Sequence, residues 1–194
     1  MSILREELFY RDILDVPPDI QELVRLWRNS DHVRKNMLSS NLISEQQHAD
    51  WLKFLKSHPE RQILRVAFYQ DFPFGIITLK DMDEYASRSD WGMYIGNKTF
   101  LGKGFARPML FGLLTWAFEE KGFRRLFTSV LGDNTRAIAL YLDFGFHLEG
   151  RFEKHILRES GDLVDLYWLA CFREQWSLPQ GQASSISGIR ITKV

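Results

Sequence analysis

Residues 101–107 read Leu-Gly-Lys-Gly-Phe-Ala-Arg, between a strand-like run, WGMYIG, and a long apolar stretch. Two glycines and two cations at such a junction suit a phosphate. The first amides of a helix have no intrahelical acceptor and point at any anion on the axis. Three phosphate-binding patterns compete for the segment. A Walker loop needs GxxxxGK followed by Ser or Thr. From Gly96 to Gly102-Lys103 there is one intervening residue too many, and Gly104 stands where the hydroxyl belongs. A dinucleotide fingerprint needs GxGxxG, and Arg107 takes the third glycine's place, where close helix–strand packing leaves no room. The third pattern is Gln/Arg-x-x-Gly-x-Gly/Ala, opening the helix that follows a strand. Gly104 and Ala106 satisfy its last two positions, and Leu101 departs from the first. Backbone amides, Phe105's among them, can still do the work. Gly104 and Ala106 let a pyrophosphate come close, and Pro108 falls in the first turn, where a missing N–H is cheap. Lys103 and Arg107 add positive charge. Taken alone, the segment also reads as a glycine-rich turn without a ligand.

The elements that would hold this turn alternate between strand and helix. A first strand lies within SILREELFYRDI and stops at Pro17-Pro18; Ile20, Leu23, Val24 and Trp27 then recur at helical spacing. Ser44 and Gln47 fit a capping box ahead of His48, Trp51, Leu52 and Leu55 on one helical face, which Pro59 closes. QILRVAFY and FPFGIITL flank QDFP as an antiparallel hairpin, and SDWGMYIG is a third strand for that sheet. Residues 104–121 are apolar nearly all round and predict a buried helix ending at Gly122. RRLFTSVL predicts a strand and NTRAIALYLDFGF a short helix, with Asn134 near its start and Gly145 at its end. Two last strands, HLEGRFEKHIL and LVDLYWLACF, are joined by the turn RESGD. The expected organisation is one domain over 1–178, an α/β fold with a mixed sheet and at least four helices. Residues 179–194, rich in small polar residues, follow as a tail.

Composition narrows the function. Hydrophobic residues make up 45% of the 194 and charged residues 26%, ordinary for a globular chain. Lys+Arg and Asp+Glu number 25 each, against a nucleic-acid binder that must neutralise many phosphates. No apolar run approaches membrane-spanning length, and the N-terminus lacks the apolar core of a signal peptide, so a cytoplasmic protein is expected. The single cysteine, Cys171, allows no internal disulfide, and the histidines lack ligand spacing, so no metal is expected.

Thirty residues after Gly104 comes DNTRAIALYLDFGF, of the form Asn-x-x-Ala-x-x-Leu-Tyr-x-x-x-Gly-Phe. With the glycine turn, this resembles the acetyl-CoA-binding core of the GNAT acetyltransferase superfamily, closely over 91–146 and in element order from about 3 to 176. The resemblance implies a mostly antiparallel sheet splayed around acetyl-CoA, with the pyrophosphate at the glycine turn. It implies that WGMYI parts from RRLFTSV, with the pantetheine arm between them on backbone groups of Met93, Tyr94 and Ile95. One such amide would hold the thioester carbonyl as negative charge develops. Asn134 matches the residue that holds the arm, and Tyr141 the general acid that protonates the departing thiolate. Without the motif, Tyr141 reads as a core ring. Asp90, ahead of the splayed strand, could take the amine's proton or be a solvated carboxylate. Cys171, in a buried strand with no paired histidine, is a poor nucleophile, so direct transfer is expected.

The acceptor is read from the N-terminal half. Trp27-Arg28-Asn29, then Val33, Met37, Ile43, Ser44, His48 and Leu52, resemble the UDP-4-amino-4,6-dideoxy-N-acetyl-beta-L-altrosamine N-acetyltransferases of pseudaminic acid biosynthesis. That resemblance implies a nucleotide-linked amino sugar as the small-molecule acceptor, with Trp27, Arg28, Asn29 and His48 near it. Each also has a structural reading: Trp27 and His48 as core, Arg28 and Asn29 as the end of a helix. The C-terminal strands resemble ribosomal-protein and polyamine acetyltransferases, which keeps a protein N-terminus or a polyamine as the alternative acceptor. Neither nucleic acid nor a membrane is an expected partner, and a homodimer is left open.

Overall fold

The computed structural model describes residues 6–176 and 189–191. Pro17 and Pro18 end β1 (Glu6–Asp12) and open α1 (Pro18–Asn29), since a proline at the first helical position sacrifices no hydrogen bond. A short turn of helix, α2 (Asp31–Arg34), follows a break at Ser30. The capping box forms as expected at α3 (Glu45–Ser57): Gln47 N donates to Ser44 Oγ at 3.2 Å, and Ser44 N to Gln47 Oε1 at 2.9 Å. The hairpin is β2 (Gln62–Tyr69) and β3 (Phe72–Asp83), with the turn confined to Gln70-Asp71. Pro73 therefore lies inside β3, where a register shift at Ala67/Phe68 spares its missing donor.

After β4 (Arg88–Ile95), the apolar helix is shorter than its sequence suggests. α4 (Ala106–Thr115) widens into a π turn over Trp116–Glu120, and Gly122 ends it at φ +73°. β5 (Arg125–Leu131), α5 (Thr135–Asp143), β6 (His147–Leu157) and β7 (Leu163–Phe172) complete the expected order. The tail is more than an appendage, because residues 189–191 form β8 (Ile189–Ile191), parallel to β1; the rest of 179–194 lies outside the described residues.

The eight strands make one mixed sheet in the order β6-β7-β5-β4-β3-β2-β1-β8, antiparallel except for β4–β5 and β1–β8. Each face has its own core. On one side α4 and α5 cover Trp91, Ile77, Leu79, Leu126 and Leu169; on the other α1 and α3 cover Ile76, Val66 and Phe68. The α1 contact is tight at one point. A Cβ on Gly96 would lie 2.2 Å from the Trp27 ring, so the residue after β4 must be glycine for α1 to settle.

Candidate active site

The parallel pair β4–β5 sits at the centre of the sheet and is paired for only three rungs: Arg88↔Arg125, Ser89↔Leu126 and Asp90↔Phe127. Both strands continue past that point, unpaired with each other. The rung at which the ladder stops is marked by Thr128, whose buried hydroxyl, rather than a backbone amide, donates to Trp91 O at 3.0 Å. The splay expected from the sequence is therefore present as a fork with its closed end at Asp90–Trp91.

An antiparallel ladder turns alternate residues to opposite neighbours. Trp91 O faces β5 and Gly96 N bonds Phe74 O on β3, so Met93 and Ile95 present their backbone groups to the fork. Tyr94 turns its backbone to Ile76 on β3, and its ring packs against α1 with the hydroxyl 3.4 Å from Val24 O. Of the three residues expected to line the arm, two have backbone groups on the fork side. Tyr94 is corrected to a packing role.

At the fork's open end lies the glycine turn. Gly102 and Gly104 have φ of +72° and +85°, a region that favours glycine, and a Cβ on either would meet nothing within 4 Å. The space at both glycines is open, and the turn leads directly into the first turn of α4 (Ala106–Thr115). Phe105 anchors the turn by packing its ring on Tyr69, Phe74 and Phe100 at 4.9–5.3 Å. Arg107 pairs with Asp143 at 3.0 Å and lies over the Phe144 ring, tying α4 to α5. Lys103 is exposed with no ion-pair partner among the described residues. Its ammonium is thus the uncommitted cation of the pair expected at an anion.

α5 and its cap carry two of the expected side chains. Asn134 caps the helix by accepting from Ala137 N at 3.3 Å, which occupies its oxygen and leaves its NH₂ to donate elsewhere. Tyr141, two turns on, packs its buried ring against Trp91 (4.8 Å between centroids, 69° between planes) and Phe146. Trp91 belongs to the closed end of the fork, so Tyr141 stands beside that end on the α4–α5 face. Its hydroxyl has no hydrogen-bond partner among the described residues, and burial holds its pKa above the ordinary tyrosine value.

Asp90 does not join this group. Cross-strand from Lys80, it lies on the opposite face of the sheet from Trp91, because side chains alternate along a strand. One oxygen takes the Lys80 ammonium at 2.8 Å, and the other accepts from Trp91 N at 2.6 Å. Burial raises its pKa against the pull of Lys80. Both oxygens are thus occupied, one by Lys80 on β3 and the other by the next amide of β4 itself. Asp90→Asn is expected to lower Tm by several degrees, since about 1–3 kcal/mol goes with a buried charge-assisted bond. The pH profile of kcat/KM should keep its shape; a lost acidic limb in this variant would restore Asp90 as the base.

Of the residues expected at the acceptor, three are structural. Trp27 is 7% exposed and packed under Gly96. Asn29 spends its amide on the chain, donating to Ile43 O and accepting from Ile43 N, both at 2.8 Å. His48 is buried, its Nε2 2.9 Å from Gln21 O, and burial lowers its pKa. Arg28 differs. One amino group donates to Ser39 O at 2.7 Å, while Nη1 is buried without a partner, and burial lowers its pKa.

A concavity that no sequence pattern announced lies next to Asn134. A cleft of about 710 Å³ opens beside Asn134, walled by residues 35–40 after α2, the start of α5 and the β6–β7 hairpin. Glu159 accepts from Ser40 Oγ at 2.7 Å, and Arg158 donates to Lys35 O, so the hairpin tip is strapped to the N-terminal segment. No local pattern marks these residues, because partners more than a hundred positions apart meet only in the fold.

A forked parallel pair, a glycine turn opening a helix and a phenol beside the fork are the arrangement that the acetyltransferase resemblance implied. The comparisons agree. The family model described as Acetyltransferase (GNAT) domain matches residues 11–147, and the chain belongs to that family. It is an acetyl-CoA-dependent acetyltransferase. It is 26% identical over 158 residues (79% of this chain, 82% of the relative) to the SPbeta prophage-derived uncharacterized N-acetyltransferase YokL of Bacillus subtilis (strain 168). Among solved structures it resembles spermidine N-acetyltransferase from Vibrio cholerae in complex with CoA and spermine. The TM-score is 0.77 at 17% identity, over 87% of this chain and 96% of that one. A dodecameric structure of the Vibrio cholerae spermidine enzyme matches with a TM-score of 0.70 at 16% identity, covering 86% and 94%. At such identities the likeness is one of fold.

Proposed function

We propose that this chain transfers acetyl from acetyl-CoA directly to a primary amine on a small molecule, the 4-amino group of a UDP-linked 4-amino-4,6-dideoxy sugar. The pyrophosphate rests on the amides of Gly104, Phe105 and Ala106, with Lys103 beside it. The arm lies along Met93 and Ile95 and takes a hydrogen bond from Asn134. Tyr141 gives its proton to the thiolate as the thioester carbon–sulfur bond breaks. The attacking amine loses its own proton to solvent, since a sugar-ring amine is only weakly basic. No covalent acetyl-enzyme is needed. Burial pushes the Cys171 thiol up to about 12, so it supplies no thiolate near neutrality.

The acceptor reading is carried by the charge of the cleft. Asp133 is already held by Arg158, with contacts of 2.7 and 2.8 Å, and Glu159 has Arg34 at 3.7 Å besides the Ser40 hydroxyl. A polycation entering here would have to break these pairs. The N-terminal resemblance to amino-sugar acetyltransferases points the same way. A polyamine is the second reading, favoured by the fold shared with the spermidine enzymes and by Asp162, a lining carboxylate without a cation.

The test is competition among acceptors. Acetyl transfer to a UDP-linked 4-amino-4,6-dideoxyhexose, spermidine and an N-terminal peptide should favour the nucleotide sugar by about a hundredfold in kcat/KM, as expected when charged partners are matched rather than repelled. Efficient acetylation of spermidine or the peptide with the sugar ignored would overturn the acceptor reading and leave the acetyltransferase intact.

A further inference from the structure

We infer that the cleft beside Asn134 holds the diphosphate of a nucleotide-linked acceptor between Lys35, just past α2, and Arg136, in the first turn of α5. This rests on the amino-sugar reading and specifies how that acceptor is recognised.

Three cations line the cleft: Lys35, Arg136 and Arg158. Arg158 is committed, holding Asp133 with one amino group and Lys35 O with the other. The Lys35 ammonium and the Arg136 guanidinium have no hydrogen-bond or ion-pair partner among the described residues, and both side chains are exposed. Of the three lining carboxylates, Asp133 and Glu159 are taken by arginines, and Asp162 accepts only from Ser160 Oγ. Two uncommitted cations therefore stand against one carboxylate, on two walls of one concavity.

Arg136 is also misplaced by local rules. A cation in the first turn of a helix opposes the positive end of the helix dipole, where Asp or Glu is the stabilising choice. α5 has no acidic residue there. A residue that costs its own helix stability, exposed in a cleft and unpartnered, is the kind of local conflict that functional sites show. Lys35 is the complementary half. Arg158 fixes its backbone from the hairpin, so its ammonium is presented on an anchored stem. The cleft's 710 Å³ falls within the range of small-molecule sites and accommodates a nucleotide-sized ligand. An anion between the two side chains would relieve their mutual repulsion and gain charge-assisted hydrogen bonds.

The experiment titrates UDP into the full-length protein already saturated with CoA, so that the anion site at α4 is filled. Acceptor kinetics are measured in parallel. Wild type should bind UDP, with affinity falling as salt is added. The double variant Lys35→Ala/Arg136→Ala should bind it about tenfold or more weakly and raise the amino sugar's KM to match, with acetyl-CoA KM and kcat within about twofold. Lys35→Arg in place of the alanine should recover most of the loss. If the sugar is acetylated but UDP binding and sugar KM are unchanged in the double variant, the inference is overturned and the amino-sugar reading stands. If the sugar is not acetylated yet UDP binding depends on the two cations, the diphosphate subsite stands and the amino-sugar reading falls. If UDP does not bind and the sugar is ignored, both fall.

Discussion

Replacing Tyr141 with Phe should lower kcat by about a hundredfold or more, the usual contribution of a positioned acid, while acetyl-CoA affinity stays within about twofold. The two effects separate because the side chain has two functions. Its ring packs on Trp91 and Phe146, and phenylalanine keeps that packing. Its hydroxyl makes no hydrogen bond to the described residues, so removing it costs the fold no partner, and Tm should hold. What disappears is the proton that, in the proposed function, goes to the leaving thiolate. Burial raises the Tyr141 pKa, so the phenol stays protonated through neutral and moderately alkaline pH. The wild-type kcat/KM profile should therefore rise with pH as the acceptor amine deprotonates, then level off without a fall due to Tyr141. Tyr141→Phe should keep that shape at reduced height. Unchanged turnover would assign protonation of the thiolate to water or another group.

Gly104→Val should abolish the rise in Tm that acetyl-CoA produces, a rise worth about 2.7 kcal/mol for a ligand at a hundred times its Kd. A side chain at 104 would project into space that holds no protein atoms, where we propose that the pyrophosphate rests. The fold has room for it and the pyrophosphate does not. Valine also strains a residue held at φ +85°, so the unliganded protein should melt several degrees lower, at a cost of about 1–2 kcal/mol. Gly104→Asn separates the two effects, since asparagine tolerates positive φ. It should melt close to wild type and still show no acetyl-CoA shift. A normal shift in Gly104→Asn would place the pyrophosphate elsewhere.

The sequence analysis was strongest where chemistry is local. The capping box at Ser44, the glycines that end helices at 122 and 145 and Asn134 at the start of α5 are short patterns whose geometry follows from a few neighbouring dihedrals, and each formed as expected. Asn134 and Tyr141 lie two helical turns apart, which fixes both on one element, as the motif implied. The π turn after Thr115 was not legible, because nothing in the apolar run distinguishes it from a regular helix. Trp27, Asn29 and His48 carried two readings each, because a helix end shows residue types but not what packs over them. Burial under Gly96, bonds to Ile43 and a bond to Gln21 decided those roles.

By itself the sequence determined the order of strands and helices and the glycine turn that opens α4. These depend on spacing along the chain, which the sequence states outright. The tertiary structure alone decided where the fork closes and which distant segments wall the cleft. Where β4 parts from β5 depends on the Thr128 hydroxyl reaching Trp91 O, thirty-seven residues away. Which face of the sheet Asp90 occupies depends on register against Lys80. The cleft exists because the β6–β7 hairpin meets residues 35 and 40 across more than a hundred positions. Contacts of that separation are set by the packing of the whole sheet, and no window of sequence contains both partners.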